Sequence, residues 1–384
     1  MKGWVTAEEL HAAASQVTGL DDFGPDDYGD GLAELIASYE RDADLTPRGE
    51  KVARAMLRGA LAARLCSEAG WRAYPEHARV PVARPLFVTG LPRTGTTALH
   101  RLLAADPAHQ GLELWLAEAP QPRPPRDTWA DNPVFRYIQA GCERHHVEHP
   151  EFMGVHYMAA DQVEECWQLL RQSMRSISWE CLAHVPSYSA WLGGQDWTGA
   201  YRRHRRNLQL IGLPEPGHRW VLKNPSHLFA LDALLRVYPD ALVIQTHRAP
   251  QVAIASVCSL AAQASAGWST TFTGEVIGRD QLELWARGLE AFTAERARHD
   301  PARFFDVGYA EFTADPAGTV ESVYGYFGLP FSGTAADAVR GLVSRDAGHR
   351  ASSAHRYTLE DFGLTAADVE ARFGALGDRA AGLR

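Results

Sequence analysis

The chain has 384 residues, a formal net charge of −9 at pH 7, 46% hydrophobic residues and 22% charged residues. This acidic balance argues against a nucleic-acid-binding protein, because the phosphate backbone would be repelled. Five scattered cysteines without a C-x-x-C pair, an N-terminus without a signal-peptide core and the absence of a long apolar run predict a cytoplasmic protein with neither a disulfide framework nor a membrane partner.

The first 80 residues are predicted to form an N-terminal helical cap. Thr6 and Glu9 have the spacing of a capping box at a helix start. Helical periodicity returns at 32–39 and again at about 47–69. The remainder, 81–384, is predicted to be an α/β core.

A helical insertion at about 110–215 is predicted within that core, and it would carry the acceptor pocket. It is rich in tryptophan and tyrosine, which serve both as core residues and as pocket linings. A helix start is predicted at Asp161.

The most informative stretch is PLFVTGLPRTGTTALHRLL at 85–103, which predicts a strand, a turn bracketed by Gly90 and Gly95, and a helix. Such a turn aims backbone N–H groups and the positive end of a helix at an anion. The spacing approaches the P-loop G-x-x-x-x-G-K-[ST], but Thr96 stands at the lysine position and Arg93 places the cation inside the loop. The loop is therefore predicted to hold a phosphate-like group without activating a nucleoside triphosphate.

Three later apolar runs, at 220–223, 241–246 and 304–307, are predicted strands separated by helical segments. Strand–helix alternation predicts a P-loop-like parallel β-sheet flanked by helices, within the α/β class. Ligands of such sheets bind at the carboxyl ends of the strands. The polar residues at the exits of the four predicted strands are Arg93, Lys223, Arg248 and Tyr309. Their convergence predicts a strongly anionic ligand with an aromatic part.

A second anion site is predicted at Arg248. Pro250 suits the first position of the helix that follows, and Ser256 lies about two turns along it. A guanidinium and a hydroxyl on a strand other than that of the glycine turn predict a second phosphate.

Two phosphate-type sites on one sheet edge, with a P-loop that lacks its lysine, resemble the sulfotransferases that use 3′-phosphoadenosine 5′-phosphosulfate (PAPS). The chain resembles the bacterial branch of that family from TGLDDFGPDD at Thr18 to HRYTLEDFGL at His355. The resemblance implies transfer of a sulfuryl group from PAPS to a hydroxyl, or in second place an amine, of a small or medium-sized acceptor. It implies PAPS as co-substrate and no metal; a homo-oligomer is a further possibility.

The resemblance also implies roles for individual residues. The 5′ end of PAPS would be held by Arg93, Thr94, Gly95, Thr96 and Thr97. The 3′-phosphate would be held by Arg248 and Ser256, and Tyr309 would lie beside the adenine. The segment around Arg350 resembles the loop that closes over the nucleotide.

Two positions depart from the family pattern. The usual HRDP is HRAP here, so Ala249 replaces a helix-capping aspartate, a loss that costs about 0.5–2 kcal/mol locally. The expected Trp-Glu is Trp115-Leu116, so that carboxylate is absent.

Sulfuryl transfer requires a cation near the bridging oxygen and a base for the proton of the acceptor. Lys223, in LKNPSH, is the candidate cation, with Arg93 as its helper. His156 is the first candidate for the base, since imidazole titrates near neutrality and the bacterial branch has a histidine there. Glu113 is the main rival and His227 is third.

Two other readings of the sequence remain open. A P-loop kinase would need a lysine after Gly95, where Thr96 stands, and a non-catalytic PAPS-binding protein would agree with the two departures. The cluster of Cys142, His145, His146 and His149 is interpreted as a solvated helix face rather than a metal site.

Overall fold

The computed structural model describes residues 4–148, 150, 157–349 and 357–381. The α-helices in this described part are α1 (Ala7–Thr18), α2 (Gly29–Asp42), α3 (Pro47–Ala73), α4 (Thr96–Ala104), α5 (Leu114–Glu118), α6 (Pro133–Glu148), α7 (Trp167–Arg171), α8 (Pro186–Gly193), α9 (Thr198–Ile211), α10 (Leu231–Val237), α11 (Pro250–Ala264), α12 (Gly274–Arg296), α13 (Tyr309–Ala314), α14 (Pro316–Phe327), α15 (Gly333–His349) and α16 (Ala366–Ala381). The strands are β1 (Leu86–Gly90), β2 (His109–Gln110), β3 (Arg219–Lys223), β4 (Leu242–His247) and β5 (Phe304–Gly308). Short 3-10 helices lie at Pro75–Arg79, Arg126–Asp131, Pro225–Phe229, Pro301–Arg303 and Glu360–Phe362.

The N-terminal helices begin where the sequence carries capping signals. The Glu9 amide donates to the Thr6 hydroxyl and the Thr6 amide donates to the Glu9 carboxylate, which confirms the capping box of α1. α3 begins at Pro47, whose missing N–H is not needed at that position, and the Thr46 hydroxyl accepts from the Gly49 amide. The predicted helices at 32–39 and 47–69 lie within α2 and α3.

The five strands form one sheet in the order β2-β3-β1-β4-β5, and every pairing is parallel. The predicted α/β class, a P-loop-like parallel sheet flanked by helices, is confirmed. Val88 lies opposite Lys223 on one side and Ile244 on the other, and Gly90 lies opposite Thr246. This register brings the carboxyl ends of neighbouring strands to the same edge, which is where the candidate site lies.

The two faces of β1 bury different partners because successive side chains of a strand point to opposite faces. Leu86 and Val88 are fully buried in a core shared with apolar residues of α4 and α14. Phe87 points to the other face, where its ring meets the His227 ring edge-on at 5.0 Å and the Tyr238 ring at 5.1 Å. Burial on both faces explains why the strand is continuously hydrophobic.

Two features of the structure differ from the expectations from sequence. β2 was not predicted, since a strand of two residues carries no periodicity. The predicted helix start at Asp161 is wrong, because Asp161 lies in a turn and the next helix begins at Trp167. The backbone there pairs with another segment: the Glu164 amide donates to the Leu112 carbonyl at 2.7 Å.

The chain divides into two compact units. The first, Met1–Pro81 with Leu112–Pro216 and Leu260–Ile277, is helical, and α1 packs against α3 within it. The second, Val82–Gly111 with Gly217–Ser259 and Gly278–Arg384, contains the sheet. The predicted division into 1–80 and 81–384, with an insertion at about 110–215, stays a prediction. Within the described ranges, no helix is both long and apolar enough to cross a membrane.

Candidate functional site

The glycine turn between β1 and α4 requires glycine at both of its ends. Gly90 has φ 144°, and a Cβ there would lie 2.6 Å from the Thr246 carbonyl oxygen on β4. Gly95 has φ 91° at the N-cap of α4, and a Cβ there would lie 3.2 Å from the Phe312 ring. Both backbones adopt conformations that side chains disfavour, so the turn depends on the two glycines.

Thr94 closes the turn from inside. Its hydroxyl donates to the Leu91 carbonyl at 2.6 Å and lies 2.5 Å from the Thr246 hydroxyl, and the residue is 1% exposed. The Thr246 hydroxyl has one proton, which it can donate either to the Thr94 oxygen or to the Thr89 carbonyl at 3.3 Å. Thr94 therefore joins the turn to β4, while the first amides of α4 lack intrahelical acceptors and can bind an anion.

Lys223 ends β3 beside the start of α4. Its side chain is 2% exposed, and its ammonium donates to the Thr97 hydroxyl at 3.2 Å. A buried lysine is rare unless it has a partner or a function. The neighbouring strand thus places an ammonium beside the start of α4, where the sequence has Thr96 instead of a P-loop lysine.

Arg93 and Arg248 lie in one corner of the sheet edge. The Arg93 Nε donates to the Ser256 hydroxyl at 3.1 Å, and the Arg248 guanidinium donates to the Arg93 carbonyl at 2.9 Å. The Arg248 guanidinium also lies over the Tyr309 ring, 4.0 Å from its centre. The structure thus brings together the predicted residues on the β1 and β4 sides.

Tyr357 joins the same corner and was not among the predicted site residues. Its hydroxyl donates to the Ser256 oxygen at 2.8 Å, across 101 residues of sequence. Among the described residues, the Ser256 oxygen thus accepts from Tyr357 and Arg93, so its own O–H can donate to an anion. The quoted stretch HRYTLEDFGL contains Tyr357, but no periodicity or spacing indicates which of its residues reaches Ser256.

A charged network lies behind Arg248, between β4 and β5. Asp306 accepts two bonds from Arg296, at 2.8 and 2.7 Å, and pairs with the His247 ring at 2.6 Å. Burial acts to raise the pKa of Asp306, but the bonds from Arg296 and His247 outweigh it and lower that pKa to about 2. Arg296 also reaches the Gln245 side chain at 2.7 Å. The network fixes the ends of the two strands against each other.

The residues considered for the base have different surroundings. Glu113 is buried in an ion pair with Arg123 at 3.0 Å; burial raises the pKa of its carboxyl, and the attraction of Arg123 opposes that rise. His227 is fully buried against the Phe87 ring. His156 lies outside the described residues, as does Arg350.

The cysteine and histidines of the candidate metal cluster belong to α6 and the residue that follows it in the sequence. Cys142, His145 and His146 lie on α6, and His149 lies outside the described residues. Among the residues described, no group of three or more His, Cys, Asp or Glu side chains could hold a metal ion.

The whole fold resembles solved sulfotransferase structures. Sulfotransferase STF1 from Mycobacterium tuberculosis H37Rv is 55% identical, with a TM-score of 0.91 over 98% of this chain and 100% of that chain. Sulfotransferase STF9 from Mycobacterium avium is 28% identical, with a TM-score of 0.84 over 97% of this chain and 96% of that one.

The chain is also similar to curated proteins named omega-hydroxy-beta-dihydromenaquinone-9 sulfotransferase Stf3, from Mycobacterium bovis and Mycobacterium tuberculosis. The identity is 26% over 266 residues, which is 64% of this chain and 63% of each relative, so the chain spans less than two thirds of their length. The model of the sulfotransferase family matches residues 85–333, more than half of the chain and including β1 to β5. The predicted resemblance and enzyme class are confirmed, and the chain belongs to the sulfotransferase family.

Proposed function

We propose that the protein transfers a sulfuryl group from PAPS to a hydroxyl, or in second place an amine, of a small or medium-sized acceptor. The observation that supports this most is the single corner in which Arg93, Arg248 and Ser256 meet, beside a glycine turn that has Lys223 at its helix end. A donor charged at both ends of one adenosine needs two anion sites close together on one rim.

The 5′ end of the donor is assigned to the glycine turn. The amides of Gly95, Thr96 and Thr97 begin α4, where the helix dipole favours negative charge. The Arg93 guanidinium adds a charge that can bind in a bidentate manner. Thr94 would bind the donor through its backbone amide, because its hydroxyl is hydrogen-bonded to Leu91 and Thr246.

Lys223 is assigned to the leaving oxygen. Bound PAPS supplies an activated sulfuryl group, and negative charge develops on the bridging oxygen as that group leaves. Lys223 is held next to Thr97 by its own strand rather than by the turn. A fixed ammonium in a buried position stabilises such charge more than it would in water, and it is already in place when the reaction occurs.

The 3′-phosphate and the adenine are assigned to the β4 corner. Arg248 and Ser256 would hold the phosphate, with Tyr357 orienting the Ser256 hydroxyl. The Arg248 guanidinium covers one face of the Tyr309 ring, so the adenine is assigned to the opposite face or the edge of that ring. Arg350 stays a proposed member of this site on the resemblance alone.

His156 is proposed as the base. Glu113 would have to leave its buried pair with Arg123 before accepting a proton, and His227 packs in the core against Phe87. Glu113 and His227 therefore stay the second and third candidates for the base. His156→Ala should lower turnover and leave nucleotide affinity nearly unchanged, whereas a large loss of affinity would remove His156 from the base role.

A hydroxyl is favoured over an amine because the curated relatives are named for an omega-hydroxy compound. We propose a small-molecule acceptor, no metal requirement and a cytoplasmic location, the last from cysteine usage. The possible homo-oligomer stays a prediction. A P-loop kinase is disfavoured because Thr96 occupies the lysine position.

The test measures binding and transfer separately. Calorimetry with adenosine 3′,5′-bisphosphate should show binding, and labelled PAPS should transfer sulfate to a panel of alcohols, phenols and amines. Arg93→Ala should abolish transfer. Binding without turnover on any acceptor would favour the non-catalytic alternative, and no binding would reject the proposal.

A further inference from the structure

A histidine on α4 lies in the core directly behind the glycine turn. His100 is fully buried, three residues after Thr97, and its Nε2 donates to the Val221 carbonyl on β3 at 3.1 Å. Burial, with the nearby charge of Lys223, lowers the pKa of His100 to about 3. The ring is therefore neutral at pH 7 and adds no second cation beside Lys223.

Two side-chain hydrogen bonds connect the same helix to the same strand. Thr97 and His100 are three residues apart on α4, so they share a face of the helix. Lys223 and Val221 are two residues apart on β3, so their two attachment points lie about 7 Å apart along the strand. The Lys223–Thr97 bond of 3.2 Å and the His100–Val221 bond of 3.1 Å are therefore neighbouring hydrogen bonds between α4 and β3.

The core position of His100 would accept an apolar residue. Leu99 and Leu103, beside it in the helix, are fully buried, and the His100 Nδ1 has no hydrogen-bond partner in the described part of the chain. A buried acceptor without a partner destabilises the folded state, a cost that leucine would avoid. The imidazole is thus best explained by what its other nitrogen does.

We propose that His100 is a positioning residue for sulfuryl transfer, whose bond to the Val221 carbonyl sets the first turn of α4 against β3 and so holds Thr97 at the Lys223 ammonium. The proposal rests on the proposed function. His100 touches no reacting atom in this account, and it acts on the leaving-oxygen site through the helix.

The test compares two nucleotides in His100→Leu and His100→Gln. Adenosine 3′,5′-bisphosphate engages both anion sites, whereas adenosine 3′-phosphate lacks the 5′ group. His100→Leu should raise the Kd of the bisphosphate about tenfold, while the Kd of the 3′-phosphate changes less than about twofold. His100→Gln can still donate to the Val221 carbonyl, so it should restore most of the bisphosphate affinity. With an active acceptor, kcat should fall about 10²-fold in His100→Leu.

His204→Leu is the matched control. His204 is also fully buried with a pKa lowered to about 3, but it lies on α9. It should lower the melting temperature without changing the ratio of the two Kd values. If His100→Leu does not fold, His100→Asn replaces it, since a shorter amide misses the carbonyl.

An unchanged Kd ratio in a folded His100→Leu or His100→Asn would overturn the positioning role. An equal loss in His100→Gln and His100→Leu would also overturn it, because ring volume would then be the cause. Failure of the wild-type protein to bind the bisphosphate would instead reject the proposed function itself.

Discussion

The two corners of the candidate site hold charge by different means. The glycine-turn corner, the backbone of residues 90–97 with Lys223, presents amides at a helix start and one buried ammonium, whereas the Arg93 side chain reaches the other corner. The β4 corner, Arg248, Ser256 and Tyr357, is built from side chains carried by three separate elements or segments. The first corner has its shape before any ligand arrives, because glycine conformations and strand register determine it.

The second corner is a chain of hydrogen bonds that meet at one hydroxyl. Arg93 reaches Ser256 from the glycine turn, and Tyr357 reaches it from the other side. We therefore expect a substitution in the first corner to affect either the transfer reaction or the conformation of the whole turn. A substitution in the second corner should have a modest effect on affinity, and that effect should depend on the neighbouring side chains.

The largest expected effect is at Lys223. Lys223→Met keeps the apolar stem and removes the ammonium beside Thr97, so kcat should fall about 10²- to 10³-fold. The Kd of adenosine 3′,5′-bisphosphate should change far less. A variant with normal kcat would mean that the cation acts elsewhere.

Acid stability tests the network behind the β4 corner. Asp306 has a pKa of about 2 when folded, against an ordinary 3.8, so its contribution of roughly 2 kcal/mol is present above about pH 5 and is lost as the pH falls through 3.8 towards 2. Asp306→Asn should lower stability at pH 7 and flatten this part of the pH profile, measured by urea unfolding between pH 2 and 7. An Asn variant that keeps the wild-type slope would assign the slope to other carboxylates.

Gly95→Ala tests the backbone corner alone. The alanine would have to adopt φ near 91° with its Cβ 3.2 Å from the Phe312 ring, a strain of about 1–3 kcal/mol. Binding of adenosine 3′,5′-bisphosphate should weaken about tenfold, with little change for adenosine 3′-phosphate. Equal weakening of both nucleotides would show that the corners are not separable.

The smallest effects are expected in the β4 corner, where coupling is the informative quantity. Ser256→Ala should raise the Kd of the bisphosphate about fivefold, which corresponds to one hydrogen bond. Tyr357→Phe should do less in the wild type, and nothing further in the Ser256→Ala background. An additive double variant would mean that Tyr357 acts on the ligand independently of Ser256.

Much of this architecture follows from the sequence because the signals are local. The strand–turn–helix at 85–103 is specified by an apolar run, two spaced glycines and a helical stripe, all within one segment. The α/β class follows from the alternation of strands and helices, and parallel strands necessarily bring their carboxyl ends to one edge. Arg93, Lys223 and Arg248 could therefore be predicted to lie at one edge of the sheet before any coordinates.

The tertiary structure decided the contacts that no local pattern encodes. Tyr357 donates to Ser256 across 101 residues of sequence, and Glu113 forms a buried ion pair with Arg123. The segment at Asp161 is not helical because its backbone hydrogen bonds go to another part of the chain. Nothing in the helical pattern around His100 indicates that its Nε2 donates to the Val221 carbonyl. Periodicity specifies which face of an element is buried, whereas the partner on that face depends on how all the elements pack.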